Sequence, residues 1–442
     1  MKYLSLTRPR FTRRAAASTL LGLLLAAGGA QAADPGVLTI WINNDKGYKG
    51  LQKVAEAYTR QTGTKVRVMP FNGSTGRFED VSGPKAPGDN ESHSTDAPAG
   101  FEAAMKAGKG PDIWIWPHDR LGGWVKAGWL EPVVPGTEFR RDVVQIAWDA
   151  FTLGGQVWAY PIAVESVALI YNKDLVPNPP KTFEEIIPLN NKLKIKGQRA
   201  IGWETASPYF TWPMLSAGGG YVFQRKIDGS YDATDTGIAH PGAVAGGNML
   251  QQLIKGGAIP EGGMTYQEAE EGMKSGKQAM WITGPWAWES LSKAKINYGV
   301  AMLPTVAGKA PKPFVGVLGA MITHNSPNKA AANDFLKNHL LKREGLAAMN
   351  ADKPIGVPAS KAMFWTMYSD EKIRTSMDTI YNGRPMPNNP EMTLFWKHFS
   401  TALYDINTGD KTSKEALDQA AASIRGALPA AAKAPAKVAR SK

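Results

Sequence analysis

Trp116, Asp119 and Arg120 fall close together in the run PDIWIWPHDRLGG, residues 111–123. An indole offers a flat apolar face, a carboxylate accepts hydrogen bonds and a guanidinium donates them. Together they suit a sugar, whose rings carry apolar C–H faces and a rim of hydroxyls. The plainer alternative is a core tryptophan beside a surface Asp119–Arg120 pair. Other stretches repeat the theme. Asp45 and Lys46 follow an alternating run, 37–42, and Glu165 sits among Ile162, Ala163, Val164, Val167, Leu169 and Ile170. SPYFTWP (207–213) and TGPWAW (283–288) gather aromatic rings around proline and glycine. Helix capping, a strand edge and core packing are the respective alternatives.

Reactive constellations are missing. The six histidines are scattered without HExxH or other metal-ligand spacing, and the lack of cysteine rules out thiol chemistry. No G-x-S-x-G, phosphate-binding loop or dinucleotide fingerprint occurs. Neither a metal nor a cofactor is therefore expected. A pair of acids could still cleave a glycosidic bond, so an α-glucan-cleaving enzyme stays open as an alternative.

The positioning elements are legible in outline. Residues 37–42 alternate as a strand, Leu51, Val54, Ala55 and Tyr58 follow helical spacing up to Gly63, and 65–69 read as the next strand. Strand–helix–strand order predicts a parallel sheet. Asp112 to Trp116 is a short buried strand closed by Pro117. Asp119 and Arg120 then lie beyond its carboxyl end, where open α/β sheets bind ligands. Residues 157–175 read as one strand carrying Glu165. Thr182 with Glu185 has a capping-box pattern, and Ser326-Pro327 marks a helix start. Met392, Phe395, Phe399, Ala402 and Ile406 form a helical core stripe, with Trp396 and Ser400 beside it. Residues 72–100, rich in Gly, Ser and Pro, predict an exposed loop before a helix from Phe101.

At 442 residues and 43% hydrophobic, the chain has material for a large core. Its net charge of +12 is concentrated at the ends. Without residues 1–32 and the tail after Arg425, 42 bases face 39 acids, so charge lends no support to a nucleic-acid partner. Residues 1–32 read as a signal peptide: a basic start through Arg13-Arg14, an apolar run from Leu20 to Ala27, and Ala30-Gln31-Ala32 for cleavage. No apolar run is long enough for membrane insertion. Export without disulfides or a lipid-attachment cysteine predicts a free periplasmic protein, by either the general or the twin-arginine route. Residues 427–442 are an Ala/Pro/Lys low-complexity tail, expected to be disordered.

Several runs, in one order, resemble the maltose/maltodextrin-binding proteins of ABC importers: WINNDKGY (41–48), WPHDR (116–120), AYPIAVE (159–165), YNKDL (171–175), PYFTWP (208–213), GPWAW (284–288) and KPFVGVL (312–318). The similarity extends from about Leu38 to Ser423, with 72–100 as the main insertion. It implies an α/β, two-lobed periplasmic-binding-protein fold, each lobe a mostly parallel sheet flanked by helices, joined by a multi-strand hinge. The implied amino-terminal lobe comprises 33–164 and 318–366, and the carboxyl-terminal lobe 165–317 and 367–426. The lobes would close on a linear α-1,4-glucan. By the same resemblance Asp45, Lys46, Asp119, Arg120 and Glu165 hydrogen-bond hydroxyls. Trp116, Tyr209, Trp286 and Trp396 stack on sugar rings, helped by Tyr266, and Asn43, Phe210 and Met386 complete the site. A non-enzymatic monomer serving membrane permease subunits follows, with the same fold tuned to another oligosaccharide as the alternative. Three departures stand out. Ser207 and Ser400 occupy positions where the family carries a carboxylate and an arginine, and the family's acidic pair before the Phe101 helix is obscured, leaving Glu79 and Asp80 as stand-ins.

If these rings bind sugar, Trp286→Ala and Trp396→Ala should each weaken binding by on the order of 1–3 kcal/mol without unfolding the chain. Parent-like titration curves for both would assign the rings to the core.

Overall fold

The computed structural model describes residues 36–81, 97–227 and 229–428. The expected signal peptide and residues 429–442 of the expected tail lie outside them. Strand β1 (Val37–Asn43) leads into α1 (Tyr48–Thr62) and β2 (Lys65–Asn72). Helix α1 buries Tyr48, Leu51, Val54, Ala55 and Tyr58 on one face. It stops at Gly63, whose φ of 78° is left-handed and whose N–H bonds the Thr59 carbonyl. A short β3 (Arg77–Phe78), α2 (Ala97–Lys106) and β4 (Ile113–Pro117) follow. Next come β5 (Tyr160–Glu165), β6 (Ala168–Asn172), β7 (Arg199–Gly202), α3 (Pro208–Ala217), α4 (Tyr266–Lys274), β8 (Gln278–Thr283) and β9 (Tyr298–Ala301). The chain continues through β10 (Phe314–Thr323), β11 (Val357–Pro358), β12 (Arg384–Pro385), α5 (Met392–Thr408) and α6 (Ser413–Ala427).

Two principal sheets organise these elements. The larger has nine strands, running β11-β5-β10-β4-β1-β2-β3, with β12 and Leu130–Glu131 also paired to β10. The smaller runs β7-β8-β6-β9. Parallel pairing joins β2, β1 and β4 in the first sheet and β7 to β8 in the second. Both sheets are nevertheless mixed: β10 runs antiparallel to β4 and β5, and β6 antiparallel to β8 and β9. All ten residues of β10 are buried. No helix among the described residues is long and apolar enough to cross a membrane.

Three readings from the sequence change. Residues 157–175 are not one strand. The run divides at Ser166-Val167 into β5, in the larger sheet, and β6, in the smaller. The Ser166 hydroxyl fastens the break by donating to the Phe314 carbonyl at 2.9 Å. A continuous apolar pattern hides such a division, because both halves are buried. Second, 72–100 is not uniformly an exposed loop. Phe78 stacks on Trp41 at 4.1 Å between centroids and packs edge-on against Phe71 and Trp114, while α2 already begins at Ala97. Residues 82–96 of that stretch lie outside the described residues. Third, the helix after Pro327 starts at Lys329 with Asn328 as its cap position. The stripe on α5 is as expected, with Met392, Phe395, Phe399, Ala402 and Ile406 all buried.

Because Phe78 fills space against three aromatic neighbours, Phe78→Ala should cost about 2 kcal/mol in denaturant unfolding. An unchanged midpoint would return this segment to the status of a free loop.

Candidate functional site

Six of the candidate residues follow the carboxyl ends of four strands. Asp45 and Lys46 follow β1, Asp119 and Arg120 follow β4, Tyr209 follows β7 and Trp286 follows β8. In each sheet the contributing strands are parallel, so their ends emerge on the same side.

Trp116 ends a column of rings. It stacks on Trp114 at 5.4 Å with planes 4° apart, and Trp114 stacks on Phe101 at 4.8 Å with the same tilt. Pro117 stops the strand and a single 3-10 turn, His118–Arg120, follows. Arg120 lies 3.9 Å from Asp119 and 3.4 Å from Glu102 on α2; the same Glu102 oxygen accepts from the Trp124 indole at 3.0 Å. Burial pushes the Asp119 carboxyl up to about 6, although Arg120 pulls it back, and the charge on Glu102 adds to the rise.

Lys46 is the junction between the sheets. Its ammonium is 3.0 Å from Glu165 at the end of β5, 3.8 Å from Asp45, and 5.2 Å from the centre of the Trp286 ring. Burial alone would lower its pKa, yet Asp45 and Glu165 outweigh it and hold the group above its ordinary value. Asn43, Asn44, Asp45 and Glu165 are also buried. Lys353 braces this loop, donating to the Asn44 carbonyl at 2.9 Å. Asn43 turns the chain, its carbonyl accepting from the Lys46 N–H at 3.2 Å.

The rings from the smaller sheet's side form a cluster. Pro208 opens α3 and presents Tyr209 and Phe210 in its first turn. A capping box between Thr265 and Glu268 starts α4 and places Tyr266 at its first position. Phe210 lies 5.5 Å from Tyr209, 5.8 Å from Tyr266 and 6.2 Å from Trp286. Trp396 on α5 packs against Phe314 at 5.6 Å and Phe395 at 5.2 Å. Burial, then the nearby Glu165 and Asp119, keep the Tyr209 hydroxyl protonated, well above the ordinary tyrosine range. That hydroxyl and the Trp396 indole N–H are buried without a hydrogen-bond partner among the described residues. Orphaned polar groups of this kind are uncommon inside proteins.

Met386 is buried, and its methyl end and Glu165 both close over Gly316. Ser207 occupies the N-cap of α3 without a side-chain cap bond, and Ser400 lies half-buried on α5. Glu79 and Asp80 are engaged elsewhere, Glu79 with Asn72 and Thr75, and Asp80 with Arg67. Residue patterns alone missed Glu102, Lys353 and His118, each defined by a contact distant in the chain. Asp45, Lys353, Tyr266, Glu270, Trp286, Glu289 and Ser290 line one small pocket. No cluster of His, Asp and Glu among the described residues is arranged to hold a metal.

A model of the bacterial extracellular solute-binding proteins matches residues 42–341. A galactooligosaccharide-binding protein of Bacillus subtilis is 30% identical over 89% of this chain and 90% of its own length. A maltooligosaccharide ABC transporter solute-binding lipoprotein of Streptococcus pneumoniae is 29% identical over 92% and 94%, respectively. A maltotriose-binding protein of Pyrococcus abyssi is 29% identical over 69% and 68%.

Asp119 carries a testable penalty. Its folded pKa of about 6 exceeds the ordinary 3.8, so the folded state holds the extra proton between those values. Stability contributed by this group therefore falls as pH rises from about 4 to 6. Asp119→Asn should raise the sugar-free unfolding free energy at pH 7 by at most about 3 kcal/mol and flatten that slope. It should also weaken ligand binding. A less stable variant at pH 7 would show that the ionised carboxylate is favourably held.

Proposed function

The chain belongs to the bacterial extracellular solute-binding proteins, and from that premise we propose that it captures maltose and maltodextrins, linear α-1,4-glucans, in the periplasm and delivers them to the membrane permease subunits of an ABC importer. The observation that carries this reading is the convergence at Lys46. One buried cation touches Glu165 and the Trp286 ring, joining charged hydrogen-bonding groups from the larger sheet to the aromatic cluster beside the smaller. Sugar rings would lie against Trp116, Tyr209, Trp286 and Trp396, with Tyr266 alongside. Their hydroxyls would exchange hydrogen bonds with Asp45, Lys46, Asp119, Arg120 and Glu165. Charge-assisted bonds of this kind are the stronger class and fix a ligand's orientation. The Tyr209 hydroxyl and Trp396 N–H, without a partner among the described residues, add two polar groups suited to a hydroxylated ligand.

The names of the maltooligosaccharide- and maltotriose-binding relatives support the sugar class, and ABC-transporter membership of one supports the permease partner. The galactooligosaccharide-binding relative favours a second reading, in which the same cleft accepts another oligosaccharide. We propose a monomeric binder that returns its ligand intact, because Glu165 is committed to Lys46 and the recognised relatives are binding proteins by name.

Ser207 and Ser400 replace charged positions of the family pattern with short hydroxyls. A hydrogen bond to a charged group contributes roughly 1.5–3 kcal/mol, against about 0.5–1.5 for a neutral one. Longer glucans regain affinity by covering more rings. Calorimetric titration with malto- and galacto-oligosaccharides should therefore show maltotriose or maltotetraose binding more tightly than maltose. Ser207→Glu should strengthen maltose binding. Maltose binding at least as tightly as both longer sugars would sink the length argument, and binding of galacto-oligosaccharides alone would install the second reading. New reducing ends during incubation would indicate an enzyme.

A further inference from the structure

His118 stands beside Asp119 but turns away from it, into the seam between the larger sheet and the chain leading to α5. Its ring is completely buried and meets Phe151 edge-on at 5.9 Å. The Val317 backbone N–H donates to Nδ1 at 3.1 Å. Nε2 lies 3.0 Å from the Met386 carbonyl. These partners determine the tautomer. Val317 brings a hydrogen, so Nδ1 must present its lone pair. Met386 brings only an acceptor, so Nε2 must carry the hydrogen. A protonated ring would set one N–H against another, and burial independently pushes the imidazole pKa down to about 4.

The bonded residues are also tied to the site. Val317 sits on β10 between Gly316, registered opposite Glu165, and Leu318, registered opposite Pro117. Met386 follows β12, which pairs with Phe314 and Val315, and it shares the space over Gly316 with Glu165. Beyond it the chain enters α5, which carries Trp396. One neutral ring thus connects the turn bearing Asp119 and Arg120, the strand beside Glu165, and the segment leading to Trp396.

We infer that His118 is a positioning residue which, through its bonds to Val317 and Met386, holds the Asp119–Arg120 turn in register with Glu165 and so sets sugar affinity without touching the sugar. The inference rests on the oligosaccharide-binding reading above, so the parent must first titrate with maltotriose. Failure there would remove that reading, whatever His118 does. With a binding parent, His118→Phe keeps a ring against Phe151 but loses both hydrogen bonds, and affinity should fall at least tenfold while circular dichroism stays native. His118→Gln, which can again donate to Met386, should recover part of that loss. Nitrogen-15 spectra of the parent should show His118 as the neutral Nε2–H tautomer from pH 8 to pH 5, with or without sugar. Parent-like affinity in a folded His118→Phe overturns the inference. If that variant does not fold, parent-like affinity in a folded His118→Leu, which supplies neither hydrogen bond, or a His118 ring that titrates near its ordinary pKa, overturns it instead.

Discussion

The fully buried strand β10 is the constraint on which the other elements depend. A strand buried on both faces must satisfy its backbone groups through neighbouring strands, since water cannot reach them. It does so against β4 on one side and β5 on the other, with β12 and Leu130–Glu131 taking further stretches. Its register therefore places Trp116 opposite Gly319 and Glu165 opposite Gly316. Side chains at those glycines would intrude: a Cβ on Gly319 would run into the Phe151 ring, and one on Gly316 would lie 3.3 Å from Glu165 Cγ. A slip of one residue would turn every neighbour to the opposite face. The relative placement of the two halves of the site is thus a matter of strand pairing before it is one of side chains.

Electrostatics then divides the polar groups into two kinds. Lys46 and Glu165 satisfy each other at short range away from solvent, an arrangement in which losing either partner leaves the other as a buried, uncompensated charge. Asp119 lies farther from its cation, Arg120, which is shared with Glu102; Trp116 also favours its ionised form, yet burial holds its pKa up at about 6. The first pair contributes geometry to the empty protein; the second group is kept in an environment that favours a further donor. A site that must both persist without ligand and gain from its arrival needs groups of each kind.

Much of this was legible in residue order. Alternation marked β1, the 3.6-residue spacing marked α1 and α5, and Gly63 marked a helix end, because each signal is local. The acid and base residues near strand ends were legible for the same reason, as were the rings grouped around Pro208 and Pro285. What eluded reading were contacts between distant segments. Nothing near His118 in the chain announces Val317 or Met386, and nothing near Glu102 announces Arg120. The division at Ser166-Val167 was hidden because β5 and β6 are both apolar, and only their membership in different sheets separates them. Phe78 looked like part of a polar loop because its ring partners lie on β1, β2 and β4.

The ring column ending at Trp116 carries a consequence for the kinetics of recognition. Each aromatic ring in it is clamped by the next, from Phe101 through Trp114 to the face beside Asp119. An indole so held has already surrendered its rotational freedom during folding, so a ligand stacking there, as proposed, would not need to freeze it. The encounter then resembles a coin meeting the top of a finished stack, where a landing with the right tilt is productive at once. If Trp116 stacks on a sugar as proposed, such a surface would reward collision geometry over slow mutual adjustment of the ring.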